Sequence, residues 1–222
     1  MKFPTYKHET EKIAQGYTLV AGCDEVGIAP LAGPVVAATV ILDPDSIGKQ
    51  RSKNKWWYRV RDSKTTTEKE RAELVRFITD HCLDYAVGVV PQEIIDKINI
   101  HQAGMQAMKE SLGKLKLIPD YLFLDGIHKI KNISTEQQAI IGGDEKVLSI
   151  AAASIVAKVS RDKILAEYHD MYPVYGFANH KGYGTKQHKH ALLQYGVCDA
   201  HRKSFMFVKQ CLEKAVPQVL SI

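Results

Sequence analysis

The stretch from Tyr17 to Leu42, YTLVAGCDEVGIAPLAGPVVAATVIL, constrains the chain most. An apolar run, Leu19-Val20-Ala21, leads into the acidic pair Asp24-Glu25. A turn rich in Gly, Ala and Pro follows, then a second apolar run from Val35 to Leu42. Short apolar runs bounded by Gly and Pro read as buried strands. The stretch therefore predicts two strands joined by a tight reversal, antiparallel because the connection is short. Two carboxylates stand where the first strand ends. Adjacent carboxylates repel and are costly to bury, and a hard divalent cation between them removes both costs. The alternative at this point is an acidic pair on a solvated loop, where most such pairs sit.

A second carboxylate site follows the same pattern. Tyr121-Leu122-Phe123-Leu124 is an apolar strand that ends in Asp125-Gly126, and strand ends are where open α/β sheets place their sites. A third lies in Gly142-Gly143-Asp144, just before a long helix running from Ser149 to Met171 with Pro173 as its stop. On that helix Leu148, Ala152, Ile155 and Val159 form one stripe, read as core-facing. Ser154, Lys158 and Arg161 form another, a basic face of the kind that is usually just solvated.

The remaining segments frame these sites. Residues 1–16 are a polar lead-in with room for a short helix. Trp56, Trp57 and Tyr58 sit among Lys53, Lys55, Arg59 and Arg61, a pattern open to nucleic-acid stacking or to packing on the body. Asp62-Ser63-Lys64 precedes the capping box Thr67-x-x-Glu70 and a helix over 68–81, where a hydroxyl and an ammonium could seat a phosphate. A strand over 83–90, helices over 91–99 and 101–116, and closing helices over 185–195 and 205–215 complete the reading. Lys181, Lys186 and Lys189 surround the loop Gly182-Tyr183-Gly184. His188, His190, Cys198 and His201 have the ligand types of a zinc site but no standard zinc spacing.

With 222 residues, the chain reads as one domain, or one domain with a small appendage. The net charge of +5 beside an acidic site suggests a polyanionic partner and a metal at the chemistry. Four scattered cysteines with no C-x-x-C pair fit a reducing cytosol. No run of about 18 apolar residues offers a membrane span. The chain has no G-x-S-x-G elbow, P-loop or G-x-G-x-x-G fingerprint, so Asp24, Glu25, Asp125 and Asp144 point instead to metal-dependent phosphoryl chemistry.

In combination and order, the motifs resemble the type 2 ribonucleases H. They are DEVG…PLAGPVVAA at 24–38, RDSK at 61–64, LDG at 124–126, GGD at 142–144, SIAAASIVAKVSRD at 149–162, HKGYGT at 180–185 and HRKSF at 201–205. The resemblance covers about Leu19 to Phe207. It implies an α/β, RNase H-like fold: a mixed five-stranded sheet flanked by helices over 17–175, with a helical C-terminal extension over 176–222. It implies endonucleolytic hydrolysis of the RNA strand of RNA–DNA hybrids, and cutting at ribonucleotides embedded in DNA, leaving 5′-phosphate and 3′-hydroxyl ends. Two divalent ions, Mg²⁺ or Mn²⁺, would sit on Asp24, Glu25 (by side chain or carbonyl), Asp125 and Asp144. Tyr183 matches the tyrosine that stacks on the junction sugar. Ser63, Lys64, Ser154, Lys158 and Lys181 match positions near backbone phosphates, and Arg161 continues that stripe. The resemblance turns the basic stripe from a solvated face into a substrate face. The expected protein is cytoplasmic, monomeric and not membrane-bound.

One departure stands out. Where the resembled family has Gly-Arg-Gly, this chain has Gly27-Ile28-Ala29. Ile28 removes a cation with five donors, a change of about 1.5–3 kcal/mol if one charged contact is lost. That departure leaves two alternatives: a non-catalytic hybrid- or junction-binding protein, and a nuclease of this fold redirected to another substrate.

Overall fold

The computed structural model describes residues 3–47, 56–60 and 66–215. Ser63 and Lys64 lie outside the described residues. The chain divides into two compact units, each assembled from three segments: Met1–Val26, Val36–Val89 and Gly104–Ser160, and Gly27–Val35, Val90–Ala103 and Arg161–Ile222.

The first unit carries the sheet. Strands β1 (Val20–Val26), β2 (Val35–Leu42), β3 (Cys82–Val90), β4 (Tyr121–Asp125) and β5 (Glu136–Ile140) lie in the order β3-β2-β1-β4-β5. β1 is antiparallel to β2 and parallel to β4, and β4 is parallel to β5. This is the mixed five-stranded sheet the resemblance implies. β2 is buried along its whole length, as its unbroken apolar run requires.

Helices cover both faces of the sheet. On one face Val20, Tyr121 and Phe123 pack with Val147 and Ile150, and with Ile13 of helix α1 (Lys7–Ala14). Helix α2 (Glu68–Asp80) starts at the expected capping box. Thr67 Oγ1 accepts from Glu70 N at 3.2 Å, and Glu70 Oε2 accepts from Thr67 N at 2.8 Å. Helix α3 (Gln92–Ile98) is followed by α4 (Ile100–Gly113). α4 brings Ser111 to the other face, where its hydroxyl bonds Thr39 Oγ1 at 2.7 Å and lies 3.8 Å from Cys23 Sγ. Trp57 is buried, so it packs on the body.

Helix α5 (Leu148–Met171) is buried on all sides from Leu148 to Ala157. The two-stripe reading of this helix is thus corrected: a helix apolar all round is a core helix. Ser154 is buried with the rest, and Val159, assigned to the core, is only partly covered.

The second unit has its own core of Leu165, Tyr175, Phe177, Leu192 and Val208, with Ala32 and Ala200 beneath. Helices α6 (Lys186–Tyr195) and α7 (Met206–Ala215) belong to it. Among the described residues, no helix is long and apolar enough to cross a membrane.

Candidate active site

The register of β1 against β4 brings the acidic residues together. The ladder pairs Val20 with Tyr121 and Cys23 with Leu124. One step further, Asp24 stands level with Asp125 at the carboxyl ends of adjacent parallel strands. Alternation along the strands puts Val20, Gly22 and Asp24, like Tyr121, Phe123 and Asp125, on the α5 face. Glu25 turns to the opposite face.

Each carboxylate is held. Asp24 is 4% exposed, its Oδ1 accepts from Glu25 N at 2.7 Å, and Ser154 of α5 hydrogen-bonds its side chain. Asp125 Oδ1 accepts from Gly143 N at 2.6 Å, which ties β4 to the short turn carrying Asp144. Asp144 is buried. Burial pushes the Asp24 carboxyl well above the usual range. Repulsion from Glu25, then from Asp125 and Asp144, adds to the shift, and the Ser154 bond opposes it. Asp24 therefore feels the other three carboxylates, and the donor set fits a hard divalent cation. Among the described residues, no three acidic, His or Cys side chains are closed into a ready coordination sphere. Lys158 is partly exposed on α5, one turn beyond Ser154.

In the second unit, Arg161 is not on a solvated face. It is 1% exposed: its Nε donates to Pro34 O at 3.0 Å, Nη1 to Lys181 O at 2.9 Å and Nη2 to Ala32 O at 3.0 Å. Arg202, unremarked in the sequence beyond its place in HRKSF, is fully buried. It donates through Nε to Gly33 O at 2.9 Å, through Nη1 to Ile28 O at 3.0 Å, and through Nη2 to Gly27 O at 2.6 Å and Pro34 O at 3.2 Å. No sequence spacing announces this, because the partners are main-chain carbonyls about 170 residues away. Gly27 is indispensable to it: its φ is +97°, and an added Cβ would lie 2.4 Å from Arg161 Nε.

Tyr183 is 44% exposed, between Gly182 and Gly184. Its carbonyl is fixed by a chain of imidazoles. His188 Nδ1 lies 2.9 Å from Tyr183 O, His188 Nε2 lies 3.0 Å from His201 Nε2, and His201 Nδ1 accepts from Cys198 N at 3.1 Å. One proton assignment satisfies all three contacts. His188 carries its proton on Nδ1 and donates to the carbonyl. His201 carries its proton on Nε2 and donates to His188. Three of the four residues with zinc-ligand chemistry thus do converge, but as a hydrogen-bond chain, while His190 is exposed.

Both rings must be neutral for this chain to hold. Burial pushes each down to about 4, and neighbouring histidines add to the depression. Because the folded values lie below the ordinary 6.5, the two histidines favour the fold above about pH 6.5 and lose that contribution as pH falls toward 4. Ring ¹⁵N spectra at pH 5.5 are expected to show both imidazoles neutral, His188 protonated on Nδ1 and His201 on Nε2. An imidazolium signal from either at that pH contradicts the assignment.

Comparisons with known proteins identify the family of the chain. The family model described as Ribonuclease HII matches residues 21–208. A ribonuclease HII from Acetivibrio thermocellus is 48% identical over 198 residues, 89% of this chain and 73% of that protein. The fold is that of the ribonuclease H2 crystal structure from Pyrococcus horikoshii OT3, with a TM-score of 0.73 at 24% identity, covering 89% of this chain and 98% of that one. Bst-RNase HIII in complex with Mn²⁺ superposes with a TM-score of 0.65 at 16% identity, over 89% of this chain and 70% of that one. The match across almost the whole chain, at nearly half identity, makes this protein a member of the ribonuclease HII family, an endonuclease family.

Proposed function

We propose that this chain hydrolyses the RNA strand of RNA–DNA hybrids, and cuts DNA duplexes at embedded ribonucleotides, at a divalent-metal centre on Asp24, Glu25, Asp125 and Asp144. The level placement of Asp24 and Asp125 on adjacent strand ends is the observation that carries the reading. Mn²⁺ in the related type 3 structure supports it. Two bound Mg²⁺ or Mn²⁺ ions would lower the pKa of a water and stabilise the departing oxygen.

The protein's own residues supply the rest. Ser154 and the Glu25 amide keep Asp24 in one orientation, and Gly143 N–H does so for Asp125. The water oxygen attacks phosphorus, the bond to the 3′-oxygen breaks, and that oxygen leaves as a hydroxyl after taking a proton. The products are a 5′-phosphate and a 3′-hydroxyl. Tyr183 stacks on the sugar at the junction, and Lys158 and Lys181 pair with backbone phosphates. The turn Gly27-Ile28-Ala29 reads the ribonucleotide through main-chain atoms.

Cleavage of two labelled duplexes with Mg²⁺ and with Mn²⁺ tests the reading: one carries a single ribonucleotide in DNA, the other is a continuous hybrid. Both are expected to be cut, the first 5′ to its ribonucleotide. The Ile28→Arg/Ala29→Gly variant is expected to bind the first about ten- to a hundredfold more tightly, the worth of one charged contact. An all-DNA duplex cut equally well overturns the substrate assignment. No cleavage of any duplex overturns the activity.

A further inference from the structure

The long helix beside the carboxylates cannot cap its own start. Helix α5 opens after Val147, and its ladder begins with Ala151 N donating to Val147 O at 3.0 Å. Valine has no side-chain acceptor for the first free amides of a helix. The N-terminal segment takes them instead. Leu148 N donates to Thr5 O at 3.2 Å, and Ser149 N donates to Glu9 Oε1 at 2.8 Å. Thr5 N also donates to Lys146 O at 3.1 Å, so the segment pairs with this turn across Thr5 and Val147. Glu9 of α1 thus fills the role of an N-cap for a helix 140 residues away in the chain.

Glu9 does this against its own burial. It is fully buried and, among the described residues, its Oε2 has no hydrogen-bond partner. Burial pushes the carboxyl up to about 7, and its bonding to Ser149 opposes the shift. A carboxyl raised above its ordinary value contributes stability only below that value, and the contribution is lost as pH rises through 7. At neutral pH the burial of this charge therefore weighs against the fold. What favours the charged form is the helix itself, whose N-terminal amides and dipole attract a carboxylate.

The capped turn lies between two parts of the site. Asp144 stands three residues before Val147, and Ser154, which bonds Asp24, stands five residues after Ser149. Gly22 brings β1 against the same turn, where an added Cβ would lie 2.3 Å from Ile150 N. All of these residues belong to the first unit. We infer that Glu9 is a positioning residue for hydrolysis: it pins the first turn of α5, and the pinned helix holds Ser154 against Asp24 and fixes the turn that carries Asp144. Glu9 acts only through the helix. The inference rests on the proposed function for its chemistry, while the cap itself does not.

Amide spectra of the native protein, Glu9→Ala and Glu9→Gln, recorded without metal or substrate, test the positioning. The reporters are Ser154 N–H and Glu25 N–H, the latter donating to Asp24 Oδ1. Both signals are expected to shift in Glu9→Ala. They are expected to shift part of the way, in the same direction, in Glu9→Gln, which keeps an acceptor without the charge. Shifts confined to α1 and residues 147–151 overturn the inference. If Glu9→Ala does not fold, Glu9→Gln decides by the same two signals. In steady-state cleavage of the continuous hybrid, Glu9→Ala is expected to lose about tenfold or more in kcat with KM changed less than about threefold, because misaligned reacting groups slow the chemical step. Glu9→Gln, still able to cap, is expected to keep kcat within about threefold of the native value. A native kcat in Glu9→Ala leaves Glu9 a structural cap and overturns the inference, as does Glu9→Gln falling as far as Glu9→Ala. If the native protein cuts neither duplex, the proposed function fails, and the amide spectra still decide the positioning.

Discussion

Asp24→Asn is expected to abolish cleavage of both duplexes, by on the order of 10³-fold or more, the scale for losing a positioned electrostatic group. The same variant is expected to melt at a higher temperature than the native protein when both are metal-free. The two effects have one cause. The Asp24 carboxyl is buried against Glu25, Asp125 and Asp144, and is pushed toward its neutral form. A carboxyl whose folded value is raised contributes stability only below its unfolded value and loses it as pH rises. At neutral pH the charged side chain therefore weighs against the fold. Asparagine is nearly isosteric. Its amide oxygen can still accept from Glu25 N, and it brings no charge. Relief of even about 1 kcal/mol raises the melting temperature by about 2–4 °C in a chain of this size. Mg²⁺ should reverse the order, because a ligand present at 100 times its Kd stabilises the native fold by about 2.7 kcal/mol. The variant, lacking a ligand and a charge, gains less. Thermal melts with and without Mg²⁺ check this without any substrate. Full activity in the variant, or an undiminished Mg²⁺ shift, would sink the metal assignment.

The parts of the site legible in the sequence were those made by local pattern. An apolar run ending in an acid reads as a strand with a carboxylate at its tip, and Asp24 and Asp125 lie in that position. The capping box at Thr67 is equally local and starts α2 where expected. Strand β5, Glu-Gln-Gln-Ala-Ile, had no such signal: it is a polar edge strand with only partial burial, and its alternation is lost among glutamines. Helix α5 misled by the same logic. Its Ser and Arg broke the apolar pattern and read as a wet face, although Ser154 bonds a buried carboxylate and Arg161 feeds three carbonyls. Main-chain acceptors carry no residue signature, so nothing in the sequence distinguishes a buried guanidinium satisfied by carbonyls from an exposed one. For the same reason Arg202, His188 and His201 became site residues only when their partners were visible. The division into two units was hidden too, since each takes three separate segments of the chain.

Gly22→Ala is expected to cost about 3 kcal/mol or more, lowering the melting temperature by roughly 6–12 °C, and to weaken Mg²⁺ binding in whatever remains folded. Gly22 lies on β1 two residues before Asp24, facing α5. A Cβ there would stand 2.3 Å from both Ile150 N and the Ser149 carbonyl carbon, and 2.5 Å from Ser149 Oγ. The first two are backbone atoms and cannot rotate away, so strand and helix would have to part by about 1 Å to restore ordinary van der Waals contact. That movement acts on the helix that supplies Ser154, and displacements of this size cost about 10²-fold where reacting groups must be aligned. The small residue therefore bears on the proposed metal centre without touching it: it sets how close α5 approaches β1. Gly113→Ala is the control. Among the described residues, nothing outside its chain neighbours and its own helix backbone lies within 4 Å of its added Cβ, and an alanine at the end of α4 should leave stability unchanged or raise it by up to about 1 kcal/mol. If calorimetry and melting show the two variants alike, close packing of β1 on α5 does not govern the carboxylate geometry, and the level placement of Asp24 and Asp125 must rest on the strand ladder alone.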